Sequence, residues 1–204
     1  MNYLAIDCTS ESLCILARKG EKFASRLIEN SKMQHSVLCM PLVEEILAEL
    51  NLTIFECDFV CAVTGPGSFT GIRVGISTVL GLVVATNKKA IGITAFQILA
   101  NATKEPFIAV IDAGKNQYYV SGYENGEIFL QPKHISLAEL EELAKKYNLC
   151  TLSPLPVRHT LVDRVEYLER AIQKAVQEKL VDYPLTAYYV KKSQAEENLH
   201  KGSC

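Results

Sequence analysis

The stretch that most constrains the fold is VCAVTGPGSFTGIRVGISTVLGLVVA, residues 60–85. A short run of β-branched and small apolar residues, 59–64, reads as a strand buried on both faces, since neither face offers a polar row to water. It stops at Gly65-Pro66-Gly67-Ser68-Phe69-Thr70-Gly71 and gives way to an apolar helical segment, 70–85. A buried strand, a glycine-rich loop and a long helix in that order commit this part of the chain to an α/β layout.

Loops of this kind commonly hold a phosphate, and two familiar versions are excluded here. Gly71 is followed by Ile72-Arg73, where a P-loop needs Lys-Ser/Thr, and Thr70 stands where a dinucleotide fingerprint needs its last glycine. Two readings stay open. Ser68 or Thr70 can cap the helix while its free N–H groups attract an anion. Alternatively, the loop is a tight turn ahead of a helix whose small residues admit close packing. Gly71, Gly75, Thr78, Leu82 and Ala85 share one helical face. A glycine inside a helix costs about 1 kcal/mol relative to alanine, so this face implies a packing reason, either against the chain's own sheet or against another subunit.

The rest of the chain extends the pattern. Residues 3–7, 13–17 and 22–28 read as a β-meander, followed by a helix over 31–50 with an unusually wide apolar face. Met40, Val43, Leu47 and Leu50 form one line of it and Leu38, Leu42 and Ile46 an adjacent one, with Pro41 expected to kink the helix. A strand at 90–93 and a helix at 95–102 follow. The opening theme then recurs in outline: FIAVIDAGKNQYYVSGYENGEIF can be laid over YLAIDCTSESLCILARKGEKFA, Asp7 on Asp112 and Lys19-Gly20 on Asn125-Gly126, a match short enough to fit two separate β-hairpins as well as a duplication. Helices at 136–147 and 161–180 complete the chain, joined through a proline-rich passage at 153–156. The expected architecture is an N-terminal lobe over 1–105 and a smaller C-terminal lobe over 106–204, whose last segment packs back on the first.

Composition narrows the function. With 204 residues, 21 Lys and Arg against 23 Asp and Glu, and a net charge of −2, the chain has no global electrostatic footprint for gripping nucleic acid alone. Any RNA contact needs a partner or a local patch. Seven cysteines without a C-x-x-C pair suit a reduced cytosol and small core positions rather than a disulfide framework. The N-terminus lacks a leader pattern, and the longest apolar-rich stretch, 76–85, is short for a membrane span, so the expectation is a cytoplasmic protein without a membrane.

Two turns carry acidic and hydroxyl groups suited to a metal–nucleotide phosphate, Asp7-Cys8-Thr9-Ser10 and Asp112-Ala113-Gly114. Asx and Ser/Thr turns are equally good hairpin chemistry. His35, His134, His159 and His200 form no H-x-x-x-H or H-E-x-x-H pair and read as surface or capping residues, and no G-x-S-x-G is present. No catalytic residue and no metal ligand is assigned. The nucleotide or phosphate candidates are Asp7, Thr9, Ser68, Thr70, Gly71 and Asp112.

In order, the segments YLAIDCTSES, QHSVLCMPLVEEIL, VTGPGSFTGIRVGISTVLGL, IGITAFQILA, VIDAGKNQYYVSGY and AYYVKKSQAEENL resemble the bacterial TsaB family, once called YeaZ. The resemblance is most specific over 64–75 and weakest over 131–180. It implies a two-lobed actin-like fold of the Hsp70-ATPase kind, with a duplicated mixed sheet and flanking helices. It also implies a non-catalytic role in making threonylcarbamoyladenosine beside the tRNA anticodon, in support of a TsaD-like catalytic subunit and a TsaE-like ATPase. The metal-binding histidine pair of TsaD-like proteins falls here on Ile93 and Gln97. The two helices of the first lobe, 31–50 and 70–85, would pack with a partner as a four-helix bundle, in a homodimer when the chain is alone. Met40, Leu42, Val43, Leu47, Gly71, Gly75, Thr78 and Leu82 are the interface candidates. tRNA would be met only indirectly, and no cofactor is assigned, with ATP or ADP and Mg at an interface of the complex as the open alternative. The rival reading is an actin-like ATPase or kinase built on Asp7, Thr9, Asp112 and the loop at 65–71.

Overall fold

Residues 1–178 and 185–191 are described by the computed structural model. The chain opens with three antiparallel strands, β1 (Asn2–Asp7), β2 (Leu13–Lys19) and β3 (Lys22–Ile28), then helix α1 (His35–Glu49). Strand β4 (Phe59–Val63), helix α2 (Phe69–Thr86) and strand β5 (Lys89–Ile93) form a parallel crossover unit, and β4 also pairs parallel to β1. The short α3 (Ala95–Leu99) leads to a second meander, β6 (Phe107–Gly114), β7 (Gln117–Glu124) and β8 (Glu127–Ser136). Helix α4 (Leu137–Ala144), strands β9 (Asn148–Thr151) and β10 (Thr160–Leu161) and helix α5 (Arg164–Gln177) complete the described part.

The two sheets run β3-β2-β1-β4-β5 and β8-β7-β6-β9-β10, the same order twice. In each, a meander is followed by strands added parallel to its first member, so the repeat seen between two short sequence lines is a repeat of whole sheets. This is the two-lobed actin-like fold. Asp7 closes β1, Asp112 lies near the end of β6, and the Gly20 and Gly126 turns both join second strand to third with positive φ.

Packing alternates in five layers. On β1, Leu4 and Ile6 face α1 and α2, while Tyr3 and Ala5 face the opposite side, and all four are fully buried. A period of two with both faces apolar is what a central strand requires. The second side of the first sheet shares one continuous core with α3, α5 and the near face of the second sheet, whose far face packs on α4. Helix α4 is held by a capping box in which Ser136 and Glu139 satisfy each other's backbone N–H groups.

Several expectations shift. Pro41 lies inside α1, which continues as one helix to Glu49. Strands β9 and β10 flank the proline-rich passage at 153–156, where only a connection between helices is expected. The expected helix at 161–180 is described as Arg164–Gln177, and residues 179–184 and 192–204, including most of the charged tail and Cys204, lie outside the described residues. The apolar helix is longer than the stretch 76–85: α2 spans 18 residues and is long and apolar enough, by length and composition, to cross a membrane. Its Ile72, Ile76 and Val79 are instead buried against the first sheet, as the helix of a parallel crossover must be. The six described cysteines are free and buried.

Candidate functional site

A cavity of about 320 Å³ opens between the lobes, where the β1–β2 turn, the N-terminus of α2 and the end of β6 converge. Thr9, Ser68, Thr70 and Asp112 line it, so four of the six nucleotide or phosphate candidates meet in one cleft. Arg164, Lys32, Glu11 and Tyr119 add charged and polar groups to the wall.

Asp7 lies beneath this cleft and is fully buried. One carboxylate oxygen accepts from the Thr9 N–H at 2.8 Å and the Thr9 hydroxyl at 2.6 Å. The other accepts from the Arg164 guanidinium at 2.5 Å, and Arg164 is itself only 5% exposed. Arg164 opens α5, and its second amino group donates to the Leu152 carbonyl at 3.3 Å. Both oxygens of Asp7 are therefore spent inside the protein. Further along α5, Glu169 pairs with Arg18 of β2, so one helix of the second half is tied to the first sheet at two points. Arg164 carries no sequence signal of its own. Only the fold brings it 157 positions back along the chain to Asp7.

The glycine-rich loop is occupied in the same way. The Ser68 N–H donates to the Thr9 carbonyl at 2.6 Å, and the Ser68 side chain caps α2 by accepting from the Gly71 N–H at 3.2 Å. A Cβ at Gly67 would stand 2.1 Å from the Thr9 carbonyl oxygen, and one at Gly71 would stand 1.8 Å from that of Cys8. These glycines let the start of α2 press onto the β1–β2 turn. Gly75 continues the contact, its Cβ position 3.7 Å from that of Cys8.

The carboxylate expected to face the metal is neutralised by Arg164, and the loop's N–H groups are partly engaged. Asp112 accepts from the Gly114 N–H at 2.7 Å and is the exposed acid of the pair. Among the described residues no group of three His, Cys, Asp or Glu side chains is placed to hold a metal ion. The positions matching the TsaD histidine pair are filled by Ile93, in the core, and by Gln97, whose side chain accepts from the Thr94 N–H at 2.7 Å in a capping box.

The eight interface candidates divide. Val43, Gly71 and Gly75 are buried within the chain, turned toward the first sheet and the β1–β2 turn. Leu42, Leu47 and Leu82 are half-buried against the same core, and Thr78 is half-buried with its hydroxyl donating to the Val74 carbonyl at 2.9 Å. Met40 faces outward. The outward apolar groups missed at the sequence level are Met33 (92% exposed), Val37 (70%), Leu80 (42%) and Val84 (82%) on and beside the same two helices. Glycine spacing drew attention to the inward face, whereas the signal for the outer one was the apolar residues in excess of what one buried stripe needs.

Residues 185–191 cross the glycine loop: the Tyr188 N–H donates to the Thr64 carbonyl at 2.8 Å, and Tyr189 packs on Phe69 with ring centres 5.0 Å apart. Arg73 covers that Phe69 ring at 3.9 Å. His35, expected at the surface, is buried at the start of α1, and among the described residues neither of its ring nitrogens makes a hydrogen bond of normal geometry. Burial pushes its pKa below the usual histidine value, against the opposing pull of Asp7.

Comparison with known proteins gives a consistent picture. The family described as TsaD, tRNA N6-adenosine threonylcarbamoyltransferase, matches residues 27–192. The tRNA threonylcarbamoyladenosine biosynthesis protein TsaB of Buchnera aphidicola (subsp. Schizaphis graminum) is 29% identical over 150 residues, 70% of this chain and 71% of that one. The TsaB of Haemophilus influenzae is 32% identical over 127 residues, 59% of this chain and 53% of its own length. That of Escherichia coli is 28% identical over 134 residues, with 62% and 57% covered. The matched part thus spans little more than half the length of the last two relatives. YeaZ from Pseudomonas aeruginosa superposes with a TM-score of 0.71 at 22% identity, over 92% of this chain and 99% of that one, which shows the shared fold.

Proposed function

This chain belongs to the TsaD family, on its TsaB (YeaZ) branch, and from that premise we propose that it is a non-catalytic subunit in tRNA threonylcarbamoyladenosine biosynthesis that docks a TsaD-like catalytic subunit through α1 and α2. The observation that carries this reading is the outward face of those two helices. Met33 and, on α1, Val37 and Met40 stand exposed, as do Leu80 and Val84 on α2, and the two helices touch each other on one side of the first sheet. Side by side, such residues form an apolar patch of the kind that marks an interface. A second pair of helices laid across it buries them and completes a four-helix bundle. The same face serves a homodimer when the chain is alone, and a TsaE-like ATPase joins the assembly.

The cleft supports the non-catalytic part of the reading. An actin-like ATPase needs its first acidic turn free to meet a metal–phosphate, and here Asp7 is held by Arg164 and Thr9. Calorimetry of the isolated chain with Mg–ATP is expected to give no binding below millimolar concentration. Sub-millimolar binding with slow hydrolysis would favour the ATPase reading instead. Co-purification from the native cell, with partners identified by mass, is expected to recover a TsaD-like subunit, and its absence would count against the docking role.

A further inference from the structure

Far from the cleft, at the free end of the second sheet, two cavities adjoin. The smaller, about 200 Å³, lies between the end of α4, the start of β9 and the approach to β10. The larger, about 490 Å³, shares Ala144, Tyr147, Asn148 and Arg158 with it and adds Lys145 and Lys146. From the residues lining this double pocket, we propose that it binds the phosphate backbone of an RNA chain directly.

The side chains are of the right chemistry. Among the described residues Arg158 makes no ion pair and no side-chain hydrogen bond, so its planar fork of donors is available to a phosphate. His159 lines the smaller cavity and spends its Nδ1–H on the Val157 carbonyl at 2.8 Å, so the donors there come from Arg158. Asn148 adds an amide to the same wall. Lys145 is shared with Glu142 at 2.5 Å, and Lys146 has no ion pair among the described residues. The smaller cavity has no carboxylate in its wall, and the larger has only Glu105.

The extent of the feature favours a polymer over a single ion. Cationic groups are spread across two joined concavities, more room than one phosphate fills. On a chain of net charge −2, this is the local patch that RNA contact would require. The inference departs from the expectation that tRNA is met only indirectly, and it rests on the proposed function for the identity of the RNA.

The test uses the full chain with unmodified tRNA, measuring binding by fluorescence anisotropy from about 50 to 200 mM salt. The double variant Arg158→Ala with Lys146→Ala, both exposed positions, is expected to bind about tenfold more weakly and to flatten the salt dependence by between one and two in log–log slope, about 0.7 to 0.9 per lost phosphate contact. Association of the variant with the TsaD-like subunit, read by light scattering, is expected to be unchanged. Equal tRNA binding by wild type and variant, or none by either, overturns the proposal. So does loss of partner association in the variant, which would make the pocket a protein-docking face. Inorganic phosphate that saturates the pocket at millimolar concentration while the variant still binds tRNA like wild type would assign it to a small anion. Failure of the docking role itself would appear separately, as wild-type chain that binds tRNA yet ignores the partner.

Discussion

The ion pair between Asp7 and Arg164 decides what the cleft can do. With 0% and 4% of their side chains exposed, both charges have been taken out of water, and each is tolerable only because of the other. Asp7→Asn leaves a buried guanidinium without its counter-charge and is expected to cost about 3–5 kcal/mol in urea unfolding. Replacing both partners with apolar residues of similar size should restore much of that loss. A single variant as stable as wild type would show the pair to be dispensable. His35 makes a second residue-scale prediction. Its folded pKa lies below the unfolded value of about 6.5, so the unfolded chain binds the proton more readily. The stability contributed by neutral His35 is complete above that value and lost as the pH falls below it. Thermal unfolding followed from pH 7.5 to 5.5 should show a steeper decline in wild type than in His35→Phe, and parallel curves would refute the assignment.

At the scale of elements, α2 explains its own glycines. Gly71 is required because its neighbour is backbone: alanine there would bring a Cβ to 1.8 Å from the Cys8 carbonyl oxygen, and neither side can yield cheaply. Gly71→Ala is expected to destabilise by about 2 kcal/mol or more despite alanine's better helix propensity. Gly81, on the same helix, would meet nothing within 4 Å, so Gly81→Ala should stabilise the isolated chain by about 0.5–1 kcal/mol. Equal effects at the two sites would contradict this division of the helix. The strand–loop–helix unit around 60–85 was legible because each part has a local signature: a buried strand without polar alternation, a loop punctuated by glycine, a long apolar helix. Strands β9 and β10 were not legible. Four and two residues long, they carry no period of their own and exist because β6 offers an edge to Asn148–Thr151. The site was half legible for the same reason. Thr9, Ser68, Thr70 and Asp112 announce themselves as turn chemistry, whereas Arg164 is an ordinary arginine until the fold delivers it to Asp7.

For the whole molecule, two sheets of one topology flank a shared core, and the helix of the second half that should move with its own sheet is instead fastened to the first through Arg164 and Glu169. The exposed apolar groups on α1 and α2 are the ones the proposed docking would cover. The account therefore stands or falls on whether that face carries the association. The most direct measurement is the mass, by light scattering, of the chain mixed with a TsaD-like subunit at micromolar concentration, for wild type and for Val84→Arg. Val84 is 82% exposed, so the substitution is expected to leave the fold and its melting temperature unchanged while abolishing the heterodimer that wild type forms. A Val84→Arg chain that associates as wild type does, or a wild-type chain that does not associate at all, would contradict the account.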